Sequence, residues 1–479
     1  MLYDVIIIGC GITGAAAAFH LSKYKLSICV LEGANDVSCG TTKANSAILH
    51  AGYDPEPGTL MARFNVRGAE LAAQLCEALD VPYRRCGSFV AAFTEEDEQT
   101  LQTLLRRGQA NGVSGLEILT GDQARVLEPN LSPQVRAVLH APTAAICSPW
   151  EYCLALAETA VVNGAELKLE HTVTGLERIE QGWRVHTNWG DVEGRFVLNA
   201  AGLGAQAVHE MAAPRDFVLR PSRGQYYLLD KSEGDRVGRV IFQCPGPLGK
   251  GVLVTPTVHG NLMAGPNAEP VEGDDTATTA AGLDFVRRTA ARSVPSVAFG
   301  AVIRTFAGVR AATDHSDFII REAAPGFFDL AGICSPGLTA APAIAEYAAG
   351  LLSAAGLELE EKPDFVCTRK RIRFKELPLA EKAALVAARP EYGRIVCRCE
   401  TVTEGEILDC FRRPIPPRSL DGVKRRVGAG LGRCQGGFCG PRVAELLDRE
   451  LGLGGRKLLQ ENAGSWMLAG ETKGGMSHV

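Results

Sequence analysis

Two short stretches, one near each end of the 479-residue sequence, group residues whose types and spacing suit chemistry. Gly9, Gly11 and Gly14 form GxGxxG directly after the apolar run "DVIII" (4–8) and before "AAAAFHLSKY" (15–24). The first glycine allows a tight turn, the second lets the backbone approach a pyrophosphate, and the third lets helix pack on strand. The helix N-terminus adds partial positive charge. Glu32 closes the next strand-like run, 23 residues beyond Gly9, where a carboxylate accepts hydrogen bonds from an adenosine ribose. The pattern predicts a dinucleotide and does not by itself choose NAD or FAD. At the other end, Cys397 and Cys399 are separated by one residue and Cys434 and Cys439 by four, with 34 residues between the pairs. Two such pairs can supply the four thiolates of a [2Fe–2S] cluster. Structural zinc is the rival, although its pairs usually follow C-x2-4-C and CxC is tighter. Ordinary thiols are the third reading.

The elements that must hold these groups follow from local pattern. "DVIII", "AAAAFHLSKY" and "LSICVLE" (26–32) read as strand, helix and strand within about thirty residues. Residues 60–130 read as helical, "RFVLNAAGLG" (195–204) as a strand entering a turn, and "QYYLLD", "RVIFQC" and "GVLVTP" as antiparallel strands. "FFDLAGICSPGLTAAPAIAEYAAGLL" (327–352) repeats strand, turn and Ala-rich helix. The charged, proline-containing stretch 356–392 reads as a linker.

Composition, at 46% hydrophobic and 22% charged with a net charge of −5, fits a globular protein and gives no sign of nucleic-acid binding. Residues 393–455 hold eleven Lys/Arg against eight Asp/Glu, so this module is positive while the whole chain is negative. There is no basic n-region with a cleavage site and no 18-residue uncharged apolar run, which predicts a cytoplasmic chain without a transmembrane segment. Of fifteen cysteines, eleven are scattered, as expected of buried thiols in a reducing compartment.

"SCGTTKANSAILHAG" (38–52), rich in small and polar residues, sits where a chain can wrap a pyrophosphate and a flavin ring. With "VLNAAGLGA" (197–205), "RPSRGQYYLL" (220–229), "FAGVRAATDHSDFII" (306–320) and "GICSPGLTAAPAIA" (332–345), it resembles the FAD-dependent oxidoreductases of the D-amino-acid oxidase and glycerol-3-phosphate dehydrogenase superfamily over about residues 1–355. The resemblance implies an α/β fold, with a Rossmann-type FAD-binding domain (about 1–85, 140–215 and 305–355) and an antiparallel-sheet substrate domain (about 86–139 and 216–304). It implies that Gly9, Gly11, Gly14 and Glu32 hold the ADP half, and that Thr41, Thr42 and Ser46 lie along the pyrophosphate and flavin. Val173 would then face the adenine, Gly202 would follow the second nucleotide-proximal strand, and the amides of Gly337, Leu338 and Thr339 would point at the flavin O2/N1 edge. The tail, "GRIVCRCETVTEGEI" to "GLGRCQGGFCGPRV", resembles bacterioferritin-associated-ferredoxin-like [2Fe–2S] domains, with a CxxxxC where the small ferredoxin has CxxC. That implies a small helical domain over 393–455, followed by a tail at 456–479, with Cys397, Cys399, Cys434 and Cys439 as ligands and backbone amides aimed at the sulfurs.

His50 is the expected catalytic base, against the alternative of a hydrogen-bonded structural histidine. Arg310 is expected to meet an anionic substrate group or the flavin edge, against a core ion pair with Asp314 or Asp317. Tyr53, Arg223 and Tyr226 are weaker pocket candidates, and "RSLDGVKRR" (418–426) is read as a solvated basic face rather than a docking site for an acidic partner. The combined resemblance implies hydride transfer from a small anionic alcohol, first sn-glycerol 3-phosphate, with electrons leaving through the cluster to protein subunits. Any membrane contact would then be peripheral, through such partners. The alternatives are a 2-hydroxy acid of the L-2-hydroxyglutarate type, an amine or imino acid, and a non-catalytic electron-transfer subunit.

Overall fold

The computed structural model describes residues 1–246, 251–455 and 457–470. The chain divides into two compact units: one holds Met1–Gly33 and Val37–Arg369, the other Ala34–Asp36 together with the chain from Lys370 onward.

In the larger unit the β-branched strand Leu2–Ile8 is central, pairing in parallel with Ile28–Glu32 on one side and Gly190–Asn199 on the other. Ile8 stands opposite both Leu31 and Asn199, so the two flanking strands end level with the glycine turn. The sheet continues outward through Glu166–Leu169 beside Ile28–Glu32, and through Gly182–Thr187 and Val173–Ile179 beside Gly190–Asn199. Phe327–Ala331 joins Gly190–Asn199 in parallel, with Ile319–Ala324 antiparallel to it. Being covered on both faces, such a sheet is built from near-continuous apolar runs. The helices Ile12–Leu21, Pro149–Val162 and Gly337–Ala354 carry several alanines and are mostly buried, and their small side chains let them pack closely.

The second sheet, of nine strands, runs through Ser222–Leu229, Leu262–Gly265, Leu253–Pro256, Val240–Gln243, Ser88–Ala92, Ala137–Ala141 and Glu117–Thr120. Val302–Arg310 lies antiparallel to Ser222–Leu229 and so belongs to this sheet. It is not wholly antiparallel: Val240–Gln243 and Ser88–Ala92 run in the same direction. Alternation sorts its residues, with Phe89, Ala91 and Ile241 entering a core that includes Val286 and Ala290 of the helix Ala280–Ser293, while Val90, Ala92 and Phe242 enter another beside Leu101 and Leu104. The strands Ser88–Ala92 and Glu117–Thr120 interrupt the region read as helical, because their apolar runs are too short to be told from helix by pattern alone.

The smaller unit is helical. Glu404–Cys410 begins with a capping box between Thr403 and Glu406, Leu420–Val427 is capped by Ser419, and Gly440–Leu451 turns Val443, Leu446 and Leu447 inward. Leu458 joins that core, so part of the expected tail is packed, while Arg456 and residues 471–479 lie outside the described residues. The expected linker is divided as well. Its first half is bound to the larger unit by the buried pair Arg369–Glu158 at 2.9 Å, and its second half forms the helix Leu379–Ala388 of the smaller one.

Candidate functional site

A cavity of about 1310 Å³ opens in the larger unit where the glycine turn meets the second sheet. Pockets for drug-sized ligands run to roughly 300–1,000 Å³, so the space suits a dinucleotide with a small substrate beside it. Its walls include Gly9, Gly11, Glu32, Thr41, Thr42, Ser46, His50, Val173, Gly202, Arg310, Gly337 and Leu338.

The glycine turn is fixed by contact. Gly9 has φ +97°, and a Cβ there would stand 2.6 Å from the Ala200 carbonyl oxygen. A Cβ on Gly14 would stand 2.0 Å from the Gly9 oxygen, so Gly14 acts by letting the helix close on the strand and does not itself line the cavity. The Cys10 amide donates to Glu32 Oε2 at 2.7 Å and the Ile12 amide to Thr42 Oγ1 at 3.0 Å, which tie the turn to the next strand and to the wrapping segment. Thr41 Oγ1 donates to the Val309 carbonyl at 2.6 Å, beside Arg310.

Thr339 corrects an expectation. It is fully buried, its amide is spent on the Pro336 carbonyl at 2.9 Å, and its hydroxyl oxygen accepts the His50 amide at 2.9 Å. The Gly337 amide is likewise taken up by the Cys334 carbonyl at 2.5 Å, so the turn before the helix consumes donors that the sequence reading sends to a flavin. Thr339 is instead part of the frame of His50, whose carbonyl accepts Asn65 Nδ2 at 2.8 Å. The His50 ring lies against Phe242, centroids 5.7 Å apart, with Nε2 3.2 Å from Ser335 Oγ. Phe242 and Ser335 both line the cavity. Sequence reasoning missed them: Phe242 carries only a strand signal, whereas Ser335 could have been found as the polar residue at the Pro-Gly start of a helix.

Arg310 ends its strand opposite Ser222, with Nη1 3.5 Å from Ser222 Oγ and Nη2 3.3 Å from the Asn267 carbonyl. Among the described residues no carboxylate pairs with it. Asp314 accepts the Val218 amide at 3.0 Å, and Asp317 caps the helix Leu60–Ala78 through the Leu60 and Met61 amides at 2.8 and 2.9 Å. Gly224 lies alongside, where a Cβ would come within 2.8 Å of Nη2. Of the weaker candidates, Tyr226 lines the cavity, stacked on Phe306 at 4.7 Å with its hydroxyl 3.2 Å from Ser46 Oγ, and burial raises its pKa. Arg223 and Tyr53 do not line it. Arg223 is buried between Asp275 at 2.7 Å and Glu269 at 2.9 Å, and Tyr53 is buried in a hydrophobic core.

In the smaller unit the fold brings the four grouped cysteines together as two pairs. Cys399 Sγ and Cys434 Sγ are 3.7 Å apart, close to the roughly 3.8 Å that separates two thiolates on one tetrahedral ion with metal–sulfur bonds of about 2.3 Å. The Cys439 thiol hydrogen-bonds to Cys397 and holds its pKa below the ordinary thiol range, at about 6. The backbone of Gly430 and Glu400 also reaches Cys397, and that of Phe438 and Gly436 reaches Cys434. Among the described residues no group of three or more His, Cys, Asp or Glu closes on a single ion. Paired thiols with backbone donors fit a two-iron cluster better than one four-coordinate zinc.

The basic run 418–426 forms no solvated face at its C-terminal end. Arg425 and Arg426 are buried and clamp Asp36: Arg426 Nη1 and Nη2 lie 2.7 and 2.8 Å from its two carboxylate oxygens, and Arg425 Nη2 lies 3.0 Å from Oδ2.

Residues 4–351 match the model of the family described as FAD dependent oxidoreductase. The chain belongs to that family. Residues 395–449 match the BFD-like [2Fe-2S] binding domain, so this family member carries an iron–sulfur domain after its flavin domain. It is similar to a glycerol 3-phosphate dehydrogenase of Caloramator mitchellensis, 47% identical over 98% of this chain and 99% of that protein. A solved structure of L-alpha-glycerophosphate oxidase from Mycoplasma pneumoniae with FAD bound aligns with TM-score 0.74 and 30% identity, covering 99% of that chain and 78% of this one. A mitochondrial L-2-hydroxyglutarate dehydrogenase of Arabidopsis thaliana is 29% identical over 72% of this chain and 82% of its own. Among the described residues no helix is long and apolar enough to cross a membrane.

Proposed function

We propose that this family member is an FAD-dependent dehydrogenase that oxidises sn-glycerol 3-phosphate to dihydroxyacetone phosphate and passes the electrons through a [2Fe–2S] cluster to a protein acceptor. The supporting observation is the extent of likeness. The similarity to a glycerol 3-phosphate dehydrogenase runs through the thiol-bearing tail, whereas the glycerophosphate oxidase is matched along its whole length and leaves the rest of this chain uncovered.

The residues divide the work. Gly9, Gly11, Glu32, Thr41, Thr42, Ser46, Val173 and Gly202 would hold FAD, with Gly14 closing the turn and Gly337 and Leu338 also lining the cavity. Cys397, Cys399, Cys434 and Cys439 would hold the cluster. When bound, FAD supplies a two-electron acceptor and the cluster a one-electron outlet. Arg310 presents a fork of donors, free of any carboxylate among the described residues, to the substrate phosphate. His50 takes the C2 hydroxyl proton at Nε2, directly or through Ser335, as C2 gives up its hydrogen with two electrons and becomes a carbonyl. Phe242 stacks on the imidazole and Thr339 holds the His50 backbone for that task.

Anaerobic titration of the holoprotein tests the reading. Glycerol 3-phosphate is expected to bleach the flavin band where L-2-hydroxyglutarate and proline do not. Bleaching by L-2-hydroxyglutarate alone would replace the substrate, since Arg310 suits a carboxylate as well. A flavin reduced by dithionite and by no substrate would overturn the catalytic assignment.

A further inference from the structure

The thiol pairs of the smaller unit are buried unequally. Cys397 and Cys439 are 1% and 2% exposed, whereas Cys399 is exposed and Cys434 half-buried. One end of the thiol set therefore faces solvent. The loop between Cys434 and Cys439 carries Phe438 at that end, 86% exposed and the most exposed aromatic side chain among the described residues. Its backbone reaches Cys434, so the chain is anchored while the ring points outward. An aromatic ring held out by a short anchored loop is a feature of binding faces rather than of folding cores.

The surroundings are basic. Arg398 and Arg433, each directly before a cysteine of the open pair, are both exposed, and Arg398 has no ion pair among the described residues. The nearby carboxylates are withdrawn. Glu400 is buried, and so is Glu404, which is paired with Arg394 at 3.0 Å and Arg442 at 3.2 Å. An exposed aromatic at a cysteine pair flanked in sequence by two exposed arginines matches the composition of protein–protein hot spots. A lipid surface would need a broad apolar face, but the adjacent helix Gly440–Leu451 turns its apolar residues inward.

We propose that Phe438, Arg398 and Arg433 form the docking face for an acidic one-electron carrier protein, and that electrons leave from the Cys399/Cys434 end of the cluster. The inference rests on the reading that the four thiols hold a [2Fe–2S] cluster. Each substrate oxidised releases two electrons and so reduces two carriers by one electron each, with no bond made or broken at this face. Positive steering of a negative carrier raises the encounter rate and is screened by salt.

The test uses the holoenzyme with three probes: oxidised acidic plant plastocyanin, a one-electron acceptor of high enough potential to take the substrate's electrons, phenazine methosulfate, and vesicles of phosphatidylserine with phosphatidylcholine. Plastocyanin reduction by the wild type is expected to fall steeply with added salt. Phe438→Ala and the pair Arg398→Gln with Arg433→Gln are expected to lower kcat/KM for plastocyanin at least tenfold, while dye-linked substrate oxidation and the electron paramagnetic resonance of the cluster stay unchanged. Plastocyanin kinetics unaltered in both variants with the cluster signal intact would overturn the docking face alone. A wild-type holoprotein without a [2Fe–2S] signal would overturn the cluster reading, and this inference with it. Vesicle binding abolished by Phe438→Ala, with plastocyanin kinetics untouched, would reassign the face to lipid.

Discussion

Arg310 and the pair Arg425/Arg426 are the same side chain in opposite circumstances. Arg310 stands at the wall of a large cavity, held at 3.3 and 3.5 Å by a carbonyl and a hydroxyl and with no carboxylate near enough to neutralise it among the described residues. Arg425 and Arg426 are out of water altogether, and three short nitrogen–oxygen contacts of 2.7 to 3.0 Å close them on Asp36. A guanidinium held by neutral acceptors keeps its fork for an anionic ligand. One closed on a buried carboxylate has its charge consumed by the fold. A run of basic residues in sequence therefore says little about function, and the position of the nearest acid says a great deal.

The sharpest way to break this comparison is to remove Asp36. Deleting one partner of a buried ion pair leaves the other charges uncompensated and costs about 3–5 kcal/mol. Asp36→Ala is expected to destabilise the smaller unit by that amount, seen as early loss of the cluster's visible band on heating or in urea. Dye-linked substrate oxidation, which needs only the flavin cavity, is expected to persist under native conditions. An unchanged midpoint for cluster loss would show that the clamp is energetically idle.

The matching experiment on Arg310 should move function and leave stability alone. Hydrogen bonds to charged groups are worth roughly 1.5–3 kcal/mol, so Arg310→Ala should lower kcat/KM about 10- to 150-fold. Arg310→Lys should recover only part, because an ammonium keeps the charge and loses the fork. Melting of the larger unit should hardly change. If Arg310→Ala were instead strongly destabilising with normal kinetics, Arg310 would have to be classed with Arg425 and Arg426.

How far sequence could anticipate this contrast depends on the range of the forces involved. The glycine turn, Glu32 and the grouped cysteines were legible because each reading needs a fixed local spacing: Gly9, Gly11 and Glu32 line one cavity of the larger unit, and Cys399 and Cys434 approach each other within the smaller one. Thr41, Thr42 and Ser46 reach the cavity by the same local logic. Thr339 was misplaced because the competition for its amide, with the Pro336 carbonyl, is a matter of turn geometry that composition does not encode. Asp36 and Arg426 are 390 residues apart, and nothing in either neighbourhood marks them as partners. For the same reason the paired charges around Arg369 read as linker while they bind a buried glutamate. Sequence pattern sees apolar periodicity and close spacing, and long-range charge pairing leaves no periodic trace.

Acid offers the finest probe of the difference. Burial would raise the Asp36 carboxyl, but the charges and hydrogen bonds of Arg426 and Arg425 outweigh it and hold the group below its ordinary value of 3.8. A carboxyl depressed in the folded state contributes stability that is complete above the unfolded value and is lost as pH falls through the folded one. The smaller unit should therefore keep the Asp36 contribution down to about pH 4 and lose it only below. Asp409 and Glu404 in the same unit are depressed too, so the wild-type curve alone would mix several carboxylates. The difference between wild type and Asp36→Ala isolates one. It should be flat from pH 8 to about pH 4 and shrink in more acid solution, measured by urea unfolding at each pH. A difference already shrinking between pH 7 and 5 would mean that burial wins over the arginines and that Asp36 is protonated in the fold.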